Sequence, residues 1–237
     1  MVAFSVIKKD QEYWLADQIK MDMSKDEYWS KLKSLLKDWK DEQVNYLSLL
    51  MDEEYEQQLM NEGFYKVSSI VEYTRLLDEN FTLDDAFHVL TLSRSSLVDE
   101  EFALLYDKCR SGSANKNNLF SIEQIMEAFV NELGSNWRHY CHIFFKGEEP
   151  MGISIPHIED GTVEEGRLFY FGVVPEQRGK GFGKVFHLYS LELLKKMNAT
   201  YYVGSTDENN EYMIRIFQAN GCILRDKKGI YRIDKLN

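Results

Sequence analysis

The chain has 237 residues, 44% hydrophobic and 28% charged, enough apolar material for one large domain or two smaller ones with their own cores. A formal net charge of −11 excludes a general binder of nucleic acid or anionic membrane. Three scattered cysteines without a Cys-x-x-Cys pair support neither a disulfide framework nor a structural zinc centre, so no metal is expected.

In chain order, Met1–Lys9 lacks a basic stretch leading into a long apolar run. No later segment reaches membrane-spanning length, so the cytoplasm is the expected compartment. Three pairs have the look of a helix-starting capping box: Ser24 with Glu27, Thr82 with Asp85 and Ser121 with Gln124. Helices are predicted near 25–40, 83–90, 97–110 and 121–133, with a loop at Ser111–Asn118. Val44–Leu50 has strand character, and Asp52-Glu53-Glu54 reads as a solvated helix start. Strands follow at His139–Lys146, Met151–Ile158 and Leu168–Val174, with a turn at Gly147–Pro150. On the first of these, His139 and Cys141 share one face and His142 the other, which a half-buried strand explains more simply than a Cys–His couple. Beyond lie a helix to about Met197, a strand at Thr200–Gly204, a helix near Tyr212–Asn220 and terminal strands around Ile223 and Ile230–Ile233. The tryptophans, without a basic patch, read as core material.

The most informative stretch is Val173-Val174-Pro175-Glu176-Gln177-Arg178-Gly179-Lys180-Gly181-Phe182-Gly183-Lys184. An apolar strand runs into a turn of glycines and cations. A helical pattern follows, with Val185, Phe186, Tyr189, Leu193 and Met197 on one face. Glycines at 179, 181 and 183 leave backbone N–H groups accessible at a helix N-terminus, where the dipole favours an anion. Arg178, Lys180 and Lys184 add positive charge, making a phosphate cradle. It is not a P-loop, because Val185 stands where a hydroxyl would coordinate magnesium, and its singly alternating glycines do not fit Gly-x-Gly-x-x-Gly.

The run Arg178-x-x-Gly181-x-Gly183 resembles the signature of the GNAT superfamily of acetyl-CoA-dependent N-acetyltransferases, and the element order from about Ser96 resembles a complete GNAT domain. The resemblance implies a mixed, mostly antiparallel sheet flanked by helices (α+β or α/β), with acetyl-CoA as cosubstrate. It implies that the loop from Arg178 through Gly179, Lys180, Gly181, Phe182 and Gly183 to Lys184 holds pyrophosphate, and that the backbone of Phe171, Gly172 and Val173 holds the pantetheine arm. Val173 N–H would then be the donor to the acetyl carbonyl. Gly172 suits either a bulge or a packing accommodation. Asn210 matches the family asparagine that faces the coenzyme, or else caps a helix, and Phe217 stands on the same segment.

Two departures bear on mechanism. Ile216-Phe217-Gln218-Ala219 puts a phenylalanine where many GNATs carry a tyrosine acid. The strand Leu168–Val174 holds no carboxylate, only Tyr170, a poor base at neutral pH. Water, or Glu159 or Asp160 on a neighbouring loop, would have to substitute, so the catalytic residues are unknown.

An internal echo completes the reading. Gly63-Phe64-Tyr65 follows a polar helix as Gly221-Cys222-Ile223 does, and Tyr73 matches Tyr231, each at a separation of 158. Residues 1–78 thus resemble the second half of a GNAT unit, without a glycine loop. The expected organisation is a truncated, non-catalytic GNAT-like half-domain at 1–80 before a GNAT domain at 81–237. The expected reaction moves acetyl to an amine of a small molecule or peptide, the alternative being a non-enzymatic acyl-CoA sensor. No nucleic acid or membrane partner is expected, and homodimerisation is left open.

Overall fold

A computed structural model describes residues 3–9, 12–19, 22–114 and 121–235. Asn115–Asn118 of the expected loop lie outside these. By packing, the chain forms two compact units, Met1–Val71 with Asp226–Asn237, and Glu72–Arg225. These units divide the chain differently from the expected 1–80 and 81–237, because the end of the last strand (Ile223–Asp234) pairs with the strand Tyr46–Met51 in the first unit.

The first unit opens with a hairpin, β1 (Phe4–Lys9) and β2 (Tyr13–Gln18), an addition to the expected elements. Its signal is short: Trp14, Ala16 and Gln18 alternate inward on β2. Helix α1 (Lys25–Asp41) starts at Ser24 and buries Tyr28, Leu32, Leu36 and Trp39 at helical spacing. Strand β3 (Tyr46–Met51), the short helix α2 (Glu56–Asn61) and strand β4 (Tyr65–Leu76) follow, with β4 running on into the second unit. These elements enclose a core that includes Trp14, Trp39, Leu47, Leu59 and Tyr231.

In the second unit the helix expected at 83–90 is absent. Asp84 makes a turn, with its side chain accepting from Ala86 N–H and its carbonyl from Phe87 N–H, and strand β5 (His88–Thr91) follows. Tertiary pairing with β6 overrides the capping-box look of Thr82 and Asp85. Helices α3 (Asp99–Arg110) and α4 (Ile122–Leu133) come next, α4 with the expected box between Ser121 and Gln124. A 3-10 turn at Trp137–His139 takes the first residues expected in a strand, so β6 is His142–Lys146. Cys141 is buried just before it, and His142 Nδ1 lies 2.8 Å from Tyr140 O. Strand β7 (Glu149–Ile158) and strand β8 (Glu165–Val173) complete an antiparallel β5-β6-β7-β8 run. Helix α5 (Phe182–Lys196), strand β9 (Tyr201–Asp207), helix α6 (Glu211–Ala219) and strand β10 (Ile223–Asp234) finish the chain. β10 is one continuous strand whose last part pairs with β3 in the first unit.

The separation of 158 is carried by geometry. α2 and α6 end alike, with Phe64 N–H donating to Leu59 O (3.1 Å) and Cys222 N–H to Phe217 O (2.9 Å). The turn between needs a left-handed residue, and Gly63 (φ +96°) and Gly221 (φ +71°) supply it. The order β2-α1-β3-α2-β4 therefore repeats as β8-α5-β9-α6-β10.

Candidate acyl-coenzyme site

The glycine run folds as a tight connection from β8 to α5. A 3-10 turn at Pro175–Gln177 leads to Gly179 (φ +74°) and to Gly181 (φ +85°), the N-cap of α5. Nothing lies within 4 Å of a Cβ placed on Gly179 or Gly181, so these glycines answer to backbone conformation and leave open space above the turn. Gly183 has another reason: a Cβ there would meet Ile216 Cδ1 at 2.7 Å, so it lets α5 approach α6. No side chain caps α5, and the N–H groups of Gly179, Lys180, Gly181, Phe182 and Gly183 meet no acceptor among the described residues. Lys180 and Lys184 are exposed beside them, and the Phe182 ring packs edge-on against Phe87 at 5.3 Å.

Arg178 departs from the phosphate role its charge suggested. Its Nε donates to Val173 O (3.0 Å) and its Nη2 to Cys109 O (2.7 Å), so the guanidinium ties the end of β8 to the last turn of α3.

The second feature is a fork in the sheet. Parallel pairing of β8 with β9 comprises Glu165↔Tyr201 and Gly166↔Tyr202 among the described residues, after which the strands part. Val174 N–H bonds to Met151 O of β7, so by strand alternation the N–H and C=O of Val173 and Phe171 turn toward the fork and those of Gly172 toward β7. A free strand edge of this kind accepts an extended, amide-bearing chain as an added strand. The bulge beside it falls at Phe169, where the β7–β8 register shifts, and not at Gly172. A Cβ on Gly172 would lie 2.5 Å from the Tyr170 hydroxyl, so that glycine makes room for the tyrosine ring.

The remaining expected residues are placed plainly. Asn210 caps α6: its Oδ1 accepts from Met213 N–H (3.2 Å) and its Nδ2 donates to Thr206 Oγ1 (3.0 Å). Phe217 is 1% exposed, stacked on Tyr73, edge-on to His187 and tilted against Tyr202, so it belongs to the core. Burial raises the Tyr170 phenol well above its ordinary value, with Cys109 and Tyr106 adding to the effect. Glu159 Oε2 lies 3.3 Å from Arg167 Nε and 3.4 Å from His157 Nε2, so it is not a free base. Asp160 is exposed. Glu165, at the closed end of the fork, accepts from Arg167 (2.7 Å) and Tyr201 (2.9 Å).

The residues missed by sequence reasoning are His187, Ser190 and Asn220, all buried. The buried face of α5 is Phe186, His187, Ser190, Leu191 and Leu194, not the stripe of purely apolar residues, of which Phe186 alone is fully buried. Spacing at 187, 190, 191 and 194 was the available signal, but two of these side chains are polar.

The first unit has the same elements without these openings. β2 and β3 pair through five registers, from Tyr13↔Tyr46 to Asp17↔Leu50, so no fork forms. At α1, Ser24 Oγ accepts from Glu27 N–H (3.3 Å) while Glu27 Oε2 accepts from Ser24 N–H (2.9 Å), which fills the cap and places a carboxylate there.

Comparison with known proteins agrees. Residues 105–222 match the acetyltransferase (GNAT) family. A GCN5-related N-acetyltransferase from Sphaerobacter thermophilus superposes with a TM-score of 0.69 at 10% identity, covering 98% of this chain and 76% of its own. An acetyltransferase of the GNAT family from Colwellia psychrerythraea gives 0.62 at 14% identity, covering 99% and 82%. A tandem GNAT protein from the clavulanic acid biosynthesis pathway gives 0.60 at 13%, covering 94% and 75%. At such identities the likeness shows the fold. No curated protein matches. Among the described residues no helix is long and apolar enough to cross a membrane, and no group of three or more His, Cys, Asp or Glu could hold a metal.

Proposed function

Because residues 105–222 belong to the GNAT acetyltransferase family, we propose that this chain transfers acetyl from acetyl-CoA to an amine of a small molecule or peptide, through one site in the second unit. The observation that carries the reading is the pairing of an uncapped α5 N-terminus with a forked β8–β9 edge. These are the two features an acyl-coenzyme needs, an anion cradle and a slot for an extended amide chain. The amides of Gly179–Gly183 hold the pyrophosphate, helped by the α5 dipole and by Lys180 and Lys184. Phe171 offers its N–H and C=O groups to the pantetheine arm, the Val173 carbonyl being taken by Arg178, and Val173 N–H is the donor for the thioester carbonyl. Asn210 orders the β9–α6 turn through its cap.

The front half-domain, residues 1–80, carries no second site, since its fork is closed and its helix start is already capped. Phe217 has no proton to give, and Arg167 holds Glu159 and Glu165. The amine therefore loses its proton to water. Incubation with acetyl-CoA and an amine panel, following free thiol, tests the reading. Coenzyme binding without thiol release from any amine would favour the acyl-CoA sensor, which the loss of a phenol at 217 also supports.

A further inference from the structure

Behind the fork, α5 sets one polar ring into an apolar wall. His187 is fully buried, and its ring meets Phe171 of β8 at 5.7 Å, Tyr202 of β9 at 5.2 Å and Phe217 of α6 at 5.5 Å, each edge-on. One imidazole thus touches a residue from each arm of the fork, and also the phenylalanine that stands where the family resemblance expects a tyrosine.

Its tautomer follows from its neighbour. Asn220 Nδ2 donates to Lys184 O at 2.9 Å and lies 3.0 Å from His187 Nδ1. Turning the amide over would set Oδ1 against the Lys184 carbonyl, so Nδ2 faces both groups. An amide nitrogen only donates, so Nδ1 accepts and the ring proton sits on Nε2. That Nε2–H has no acceptor among the described residues. Ser154 Oγ, fully buried and paired in register with Phe171, has none either. A buried donor without a partner costs about 1–3 kcal/mol, so such groups persist where a ligand or water completes them. Burial, with the Arg75 charge, lowers the imidazole pKa to about 3, so at neutral pH the ring gives a hydrogen bond and not a proton.

We propose that His187 takes over the work of the missing phenol, its Nε2–H hydrogen-bonding the sulfur of the acyl-coenzyme in the fork, directly or through one water shared with Ser154. This rests on the functional reading above. In the transfer, the amine lone pair forms the new C–N bond as the C–S bond breaks. The electron pair stays on sulfur as thiolate, and the amine proton passes to solvent. His187 keeps its proton and stabilises the sulfur's developing charge.

The test is nitrogen-15 NMR of the histidines in the intact chain, titrated with coenzyme A and separately with its desulfo analogue, with binding of each followed by calorimetry. The Nε2–H tautomer is expected in the free protein. Its signal should move with coenzyme A and stay near the free position with the desulfo form. A signal indifferent to the sulfur, with both ligands bound, overturns the proposal. Failure of coenzyme A to bind at all overturns the functional reading itself, and this inference with it. For activity, His187→Phe should lower kcat roughly 10- to 100-fold with KM for acetyl-CoA within about twofold. Unchanged kcat in a folded His187→Phe protein also overturns it. If that variant does not fold, the NMR comparison on the unsubstituted chain decides.

Discussion

Tyr73 lies nearly parallel to Phe217, ring centroids 5.1 Å apart and planes 28° apart, inside the second unit. Tyr73 comes from the strand that ends the front copy. Its counterpart Tyr231, from the strand that ends the other copy, is buried in the first unit, where its hydroxyl donates to Glu56 Oε2 at 3.1 Å. Each copy thus sends its last aromatic strand residue into the core of the other unit.

Tyr73→Ala should therefore destabilise the second unit by about 3–5 kcal/mol, the usual cost of emptying a buried aromatic site. Tyr73→Phe keeps the stack and most of the stability. Denaturant unfolding measures both, and a loss under about 1 kcal/mol for the alanine variant would contradict the exchange.

Gly181→Val should weaken coenzyme A binding at least tenfold, because the new side chain fills the open space over the α5 amides. Gly147 (φ +61°), also clear of neighbours, provides the control. Gly147→Val should carry a similar left-handed backbone cost of about 1–2 kcal/mol and leave affinity unchanged. Calorimetry finding both variants equally tight would sink the cradle.

Calorimetric titration should give one coenzyme A per chain. Ser24→Gly, which opens the first helix start, should not create a second site, since β2 and β3 remain paired. A stoichiometry of two in either protein would refute a single-site chain.

Acid should loosen the first unit early. Burial opposes ionisation of Glu53, but bonds from Lys66 (2.8 Å), Ser69 (2.5 Å) and Lys227 outweigh it and lower its pKa from 4.5 to about 2. A lowered carboxylate pKa gives stability that is complete above about 4.5 and drains away as pH falls toward 2. Glu53→Gln should cost stability at pH 7 and flatten this acid limb. Fluorescence can follow it, because Trp14, Trp29 and Trp39 report on the first unit; an unchanged limb would remove Glu53 as its cause.

The rate with a good amine acceptor should rise with pH as the free amine accumulates, with no descending limb from residue 217. A bell-shaped profile would point to an acid elsewhere, since His187 gives a hydrogen bond and keeps its proton.

The glycine run was legible because its requirements are local. Positive φ at Gly179 and Gly181 and an uncapped helix start are settled within a dozen residues, so the sequence alone determined this turn and its open helix start and, with the element order, the family. The separation of 158 likewise announced a repeated helix–turn–strand, since Gly63 and Gly221 meet the same turn requirement. Side-chain destinations were not legible in this way. Arg178 reads as a phosphate ligand until α3, far away in sequence, presents the Cys109 carbonyl. Phe217 reads as a coenzyme neighbour until Tyr73 arrives to stack on it. His187 has no signal of its own until α5 settles on the sheet and buries it. Only the tertiary structure decided where β8 and β9 part, because strand divergence depends on long-range pairing and helix packing and leaves no mark in either strand's own residues.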